Sequence, residues 1–476
     1  MSRFQRSLFV FRRDLRVDDN TALLAALEMS DEVIPCFIFD PRLSDPARKN
    51  FNSNSFQFLL ESLDDLRGQL EAVDGRLYLF SGLPENVIGN LLEKGGINAV
   101  FMNRDYTPFS LKRDERISSL CNYRGVELFQ FHDCLLTEPG MVRTKQGTPY
   151  KVFTQFFREA SKRDVPIPSM FAGVSEDVAD LFFTGDLEAG EVDGVSDVDF
   201  LKGLLPESNE HLFTHGGRSN ALSILKSLSE FSNYDHERDL PSIRGTTGLS
   251  AHNKLGTISI REFYYSVLHE LGRDHTLISE MYWRDFFTQL AFEFPEVFRH
   301  AFKSKFDDLE WANDRKLFEA WCSGNTGFPI VDAGMRELNT TGYMHNRVRM
   351  IVASFLVKDL HIDWRWGERY FACKLVDYDP CVNNGNWQWA ASTGADSQPY
   401  FRIFNPWRQQ KKFDSDCEYI KRWVPELRDI ESSVIHKLEN DNDVDIGDYP
   451  KPIVDHSMER EIALFMFKSA SQVTDL

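Results

Sequence analysis

Apolar residues change their rhythm once along this chain, and that change limits its fold more than any other feature. Up to about residue 135, short apolar runs alternate with stretches of helical period. "SLFVF", "VIPCFIFD", "RLYLF", "AVFMN" and "ELFQF" read as strands, with "TALLAALEM" and "SFQFLLESLDDLRGQL" as helices between them. Such alternation implies an open parallel sheet wrapped by helices. From 136 to 209 the pattern dissolves into a Pro-, Gly- and acid-rich stretch, too long for an ordinary loop and read as an interdomain linker. After 210 nearly every apolar residue follows a helical period, as in "EFYYSVLHELG" and "NRVRMIVASFLVKDL". The expected architecture is an α/β N-terminal domain (1–135, Rossmann-like parallel sheet), a linker (136–209) and a larger all-α domain (210–476).

A chain of 476 residues exceeds one ordinary core, consistent with this division. No apolar run reaches the roughly 20 residues of a membrane span, and the N-terminus lacks the apolar stretch of a secretory signal. A cytoplasmic or nuclear monomer is expected. Seven scattered cysteines without C-x-x-C spacing argue for reduced, mostly buried thiols. H-E-x-x-H, G-x-S-x-G, the P-loop and G-x-G-x-x-G are all absent from the sequence. The net charge of −19 speaks against nucleic acid, but its distribution is uneven. The stretch 174–199 carries acids and no Lys or Arg, whereas 402–422 holds Arg402, Arg408, Lys411, Lys412, Lys421 and Arg422.

Four stretches concentrate chemistry. In "TTGLSAHNKLG", hydroxyls and backbone N–H groups gather where a helix begins, which can hold a phosphate or simply cap the helix. In "SEMYWRDFF", Glu280, Trp283, Arg284 and Phe287 share one helix face, giving either an ion pair at a pocket wall or an exposed i, i+4 pair. In "GYMHNRVRMIVASF", Asn346, Arg349, Met350 and Ala353 share another, as a ligand's floor or as a surface arginine beside core. In "DYDPCVNNGNWQWAASTG", Trp387 and Trp389 stand two positions apart and must face different neighbours in helix or strand alike. All nine tryptophans lie beyond residue 280, where a large core alone could employ them.

These stretches, with "TGFPIVDAGMRELNTTGYMHNRVRMIVASFLVKDLHIDWRWGERYF", "DYDPCVNNGNWQWAASTGADSQPYFRIFNP" and "LFVFRRDLRVDDN", resemble the photolyase/cryptochrome family, most closely its class I cyclobutane pyrimidine dimer photolyases. The resemblance implies one reduced FAD among the C-terminal helices. It gives the pyrophosphate side to Thr246, Thr247, Gly248, Leu249 and Ser250 with Tyr234 nearby. Flavin and ribityl contacts fall to Arg284, Asn346, Arg349, Asp377 and Asp379, and the place beside flavin N5 to Asn383. It implies an electron path through Trp387, Trp364 and Trp311. A flipped-out dimer in UV-damaged DNA would meet Trp283, Trp389, Glu280 and Met350, and phosphates would meet Arg238, Arg347 and Arg402, with Lys411 and Lys412 as further candidates.

The implied reaction is light-driven splitting of the dimer by one electron from reduced FAD. A blue-light receptor and repair of six-four photoproducts are the alternatives within the family. Tyr343 stands where the family usually has Trp, implying a looser contact on the adenine side. A second, light-harvesting chromophore is expected in the N-terminal domain. Lys254 and "RDYTP" favour a deazaflavin or flavin type over folate.

Overall fold

The computed structural model of the protein describes residues 2–171, 178–185, 187, 203–205, 207–439 and 446–473, so most of the acidic stretch at 174–199 lies outside the described residues. Five strands, β1 (Phe4–Phe11), β2 (Ser30–Phe39), β3 (Tyr78–Ser81), β4 (Ala99–Asn103) and β5 (Glu127–Phe131), form one sheet in the order β3-β2-β1-β4-β5. All its pairings are parallel. The near-continuous Val, Ile, Leu and Phe content of β1, β2 and β4 reflects burial on both faces, since helices cover each side of a parallel sheet, whereas the edge strand β5 is only half-buried.

The expected helices appear as Thr21–Met29, capped by the Asn20 side chain, and Ser53–Glu71, capped by Asn52. Two more, Pro84–Lys94 and Pro108–Arg124, open on a proline whose fixed φ suits the first helical position. Strand order reverses between β1 and β4, which places a crevice at the carboxyl ends of those strands. Arg12, Arg13 and Asp14 follow β1 there, and Arg104 and Asp105 follow β4.

The stretch expected to cross between domains does more than cross. Phe171 and Phe182 are buried in the same core as Phe9, Leu63 and Phe101, and the Phe183 N–H donates to the Val33 carbonyl at 3.0 Å. After residue 210 the described residues are helical or irregular. The helices Thr276–Glu293, Pro329–Thr341, Asn346–Lys358, Trp364–Lys374, Pro380–Ala391 and His456–Val473 build the helical body. Among the described residues no helix is long and apolar enough to cross a membrane.

Sheet and helical body meet along a seam of buried charge. The Leu15 N–H donates to the Leu255 carbonyl at 3.0 Å. At Gly256, φ is +64°, and a Cβ would stand 2.2 Å from the Arg13 carbonyl oxygen, so only glycine allows the approach. Arg16 pairs with Asp133 at 2.7 Å, and Arg261 reaches both Asp19 and Asp133 at 2.8 Å. Asp133 is fully buried, and the two guanidiniums hold its carboxyl well below the usual carboxylate range against the effect of burial. Removing one partner from such a network strands a buried charge. Arg261→Leu is therefore expected to cost about 3–5 kcal/mol, read as a lower midpoint of urea unfolding.

Candidate active site

The helical body encloses a cavity of about 460 Å³, within the range of small-molecule sites. Its lining includes Tyr234, Arg238, Thr246, Thr247, Gly248, Leu249, Ser250, Glu280, Trp283, Arg284, Asn346, Arg349, Met350, Asp377, Asp379, Asn383, Trp387 and Trp389. Segments separated by more than a hundred residues thus converge on one space. Apart from the further candidates Lys411 and Lys412, which are exposed, four of the expected residues stand outside the lining. Trp364 is buried in the core and Trp311 half-buried against Phe467. Arg347 pairs with Asp239 at 2.7 Å, and Arg402 is exposed.

The Thr276–Glu293 helix forms one wall, and Glu280, Trp283, Arg284 and Phe287 do share its cavity-facing side. The i, i+4 ion pair between Glu280 and Arg284 does not form. Glu280 accepts instead from Arg238 at 2.6 Å, while Arg284 donates to the carbonyls of Cys134 (2.6 Å) and Asn253 (2.9 Å). A planar guanidinium fork finds better geometry in two carbonyls than in a carboxylate one turn away on the same helix. Burial raises the Glu280 carboxyl above its ordinary value, against the opposing pull of Arg238. Trp283 presents less than two open faces, because Phe153 stacks on it at 3.6 Å and 8°. Nothing in the sequence spacing points to that stack, which comes from a helix 130 residues earlier in the chain (Phe153–Ala160).

The Pro380–Ala391 helix forms a second wall. Asp379 caps it, one carboxylate oxygen accepting from the N–H groups of Cys381 (3.0 Å) and Val382 (3.3 Å). One turn on, the Asn383 amide nitrogen donates to the Glu368 carbonyl (3.1 Å) and to its carboxylate (3.0 Å). Both amide hydrogens are thereby used, and the Asn383 side-chain oxygen remains as an acceptor. Glu368 was not legible as a site residue, since it sits at an unremarkable position in the Trp364–Lys374 helix. Trp387 and Trp389 diverge as the helix requires. Trp387 is 2% exposed and packs edge-on against Phe371 at 5.0 Å and Trp321 at 6.2 Å, while Trp389 is only half-buried.

The remaining wall is polar. Ser250 donates to Asp377 at 2.7 Å, and Asp377 pairs with Arg349 at 3.0 Å. Arg349 also lies over the Tyr343 ring, which stacks in parallel on Phe213 at 3.8 Å and whose hydroxyl hydrogen-bonds Thr246. Phe213 thus fills space that a larger ring at 343 would take. The helix after Thr246–Leu249 spans only Ser250–Leu255, so the hydroxyls and turn N–H groups, more than a helix dipole, supply the anion-binding character. The Asn253 side-chain oxygen, on the lining, is buried with no protein partner. Acceptors at Asp377, Asp379 and Asn253, two guanidiniums and a hydroxyl-rich turn along one apolar cavity fit a flavin dinucleotide, with its ring donors, sugar hydroxyls and pyrophosphate.

Sheet, seam and cavity together define a two-domain protein built to hold a dinucleotide cofactor in a helical body. Comparison with known proteins agrees. Residues 7–170 match the family model for DNA photolyase, and residues 277–469 that for the FAD binding domain of DNA photolyase. The deoxyribodipyrimidine photo-lyase of Alkalihalophilus pseudofirmus is 37% identical, over 96% of this chain and 97% of that protein. An archaeal photolyase from Sulfolobus tokodaii, solved with two FAD molecules, superposes with a TM-score of 0.87 at 41% identity, covering 98% of this chain and all of that one. A bacterial class III photolyase from Agrobacterium tumefaciens superposes at 0.88 with 37% identity, over 99% of both chains. The chain belongs to the photolyase/cryptochrome family.

Beside the site, packing is tight at Gly367. A Cβ there would lie 2.1 Å from the far edge of the Trp387 ring and 2.6 Å from Leu356. Gly367→Ala is expected to displace Trp387 and to destabilise the protein by about 1–3 kcal/mol as an overpacked core. A lower thermal midpoint together with weaker FAD uptake would register it.

Proposed function

We propose that this protein is a deoxyribodipyrimidine photo-lyase that splits cyclobutane pyrimidine dimers in UV-damaged DNA with light. The observation that carries this reading is that one cavity unites two sets of groups. Asp377, Asp379, Arg349 and the Thr246–Ser250 turn suit a flavin dinucleotide, while Glu280, Met350 and Trp389 suit two linked neighbouring pyrimidines taken out of the stack. Reduced FAD, when bound and excited, supplies one electron to the dimer and recovers it after the ring opens. The protein's residues do the rest.

Glu280 meets the dimer's carbonyl and imide edge. Burial raises its proton affinity, and in its protonated form, with Arg238 moved aside, it would donate to a carbonyl that gains negative charge. Trp389 offers a flat face to a base, and Met350 a thioether beside it. Asn383, held by Glu368, turns an acceptor toward the N–H that a reduced flavin carries at N5, and an amide there cannot ionise. Trp387, Trp364 and Trp311 form the path that brings electrons inward; Trp387 and Trp364 are almost fully buried, and Trp311 is half-buried. Arg238, Arg347 and Arg402 meet phosphates, which positions the DNA without selecting sequence.

The same reading includes a second chromophore of flavin or deazaflavin type at the carboxyl edge of the sheet. The two FAD molecules of the Sulfolobus tokodaii relative support it, as does the Arg113 guanidinium nitrogen buried there without a protein partner. The enzyme acts as a monomer on DNA in the cytoplasm, or in the nucleus of a eukaryote.

The test is to load the protein with FAD, reduce it, add an oligonucleotide bearing one thymine dimer and illuminate with blue light. Loss of dimer that depends on light is the expected result; unchanged dimer at full flavin occupancy would leave the light-receptor reading. Glu280→Ala should slow splitting by about ten-fold, the equivalent of one lost hydrogen bond to a charged group, with flavin absorbance retained.

A further inference from the structure

Arg13 belongs to the sheet domain, yet its guanidinium ends at the wall of the cavity in the other domain. It follows β1, and its three donor nitrogens are each taken. Nε donates to the Lys254 carbonyl at 3.1 Å, one terminal nitrogen to Asp105 at 3.0 Å and the other to Asp379 at 2.5 Å. Asp105 follows β4 and also accepts from Ser110, near the start of the Pro108–Arg124 helix. Asp379 caps the helix that carries Asn383, Trp387 and Trp389. One side chain thus ties the carboxyl edge of the sheet to the first residue of the site helix. With one Asp379 oxygen committed to the helix N-terminus, Arg13 fixes the direction of the other.

We propose that Arg13 is a positioning residue for the flavin site, acting through Asp379, which it orients and keeps ionised as an acceptor for the bound cofactor. The proposal rests on the reading of the cavity as a flavin site. Supporting it, Asp379 lies well below the usual carboxylate range even though burial works the other way, chiefly because of the Arg13 guanidinium. The other charged groups around Asp379 are Lys254, at the end of the Ser250–Leu255 helix, and Arg284, from the Thr276–Glu293 helix. Asp105, the buried Cys381 thiol and the Tyr378 phenol complete the set. Lys254 is itself held below its ordinary range by burial and by Arg13, so it is a poor substitute for the guanidinium.

The experiment measures FAD dissociation constants by fluorescence for the full-length apoprotein between pH 5 and 8, for wild type, Arg13→Gln, Asp379→Asn and the double variant. Wild type should bind with little pH dependence. Arg13→Gln should bind about ten-fold more weakly at pH 8 and weaken further as the pH falls, because Asp379 then takes up a proton within the range. In the Asp379→Asn background, which keeps a helix-capping side chain, removal of Arg13 should cost less than two-fold, with a flat pH profile. Equal affinity and a flat profile for Arg13→Gln, or fully additive losses in the double variant, would show that Arg13 only holds the domains together and would overturn the proposal. If Arg13→Gln does not fold, Arg13→Lys serves in its place: it keeps the charge but not the fork, and must weaken FAD binding at every pH without a slope. A wild-type protein that takes up no FAD would instead remove the flavin reading of the cavity.

Discussion

The structure depends on the burial of paired charges where β1 leaves the sheet. Arg12, Arg13, Asp14 and Arg16 are consecutive or nearly so, and each is withdrawn from water against the helical body or the next strand. Isolated, any one of them would resist burial strongly; together with Asp19, Asp105, Asp133, Asp379 and Arg261 they are matched. Such matching contributes little net stability beyond what apolar residues of equal volume could supply. What it does provide is a single docking geometry, since a shifted seam would leave several unmatched charges at once. The cavity walls come from helices on the far side of that seam, so their spacing inherits its precision.

Much of this was legible before any coordinates. All five strands coincide with runs read from the apolar pattern, and the two faces read at 280–287 and 346–353 both line the cavity. Helical spacing identifies a face reliably because it needs only local geometry. What escaped were contacts between segments distant in the chain. Phe153 on Trp283, Phe213 on Tyr343, Glu368 on Asn383 and Arg13 on Asp379 each join residues whose own neighbourhoods carry no sign of the partner. The Glu280–Arg284 expectation failed for the related reason that local spacing shows which groups can meet, and not which distant partner competes for them. The helices opening at Pro84 and Pro108 were missed for a simpler reason. Their apolar stripes are thin, and the proline that marks the first turn reads equally well as a break.

The acidic balance of the chain and its reading as a DNA-repair enzyme are reconciled by location. Part of the negative charge is spent inside, against arginine. The groups proposed for phosphate contact cluster around the cavity mouth and on the 402–422 stretch, where sign and not total governs approach.

The stack of Phe153 on Trp283 has a consequence for how freely this architecture can be rearranged. Phe153 arrives from the stretch that precedes the helical body, and it lies flat against a residue proposed to face the substrate. A gene cut into separate sheet and helix halves at 135 could keep that ring on the second half, whereas a cut placed after 160 would deliver a receptor pocket with one panel missing. Because Phe171 and Phe182 then return to the sheet core, no single cut between 135 and 182 leaves both the pocket and the sheet whole.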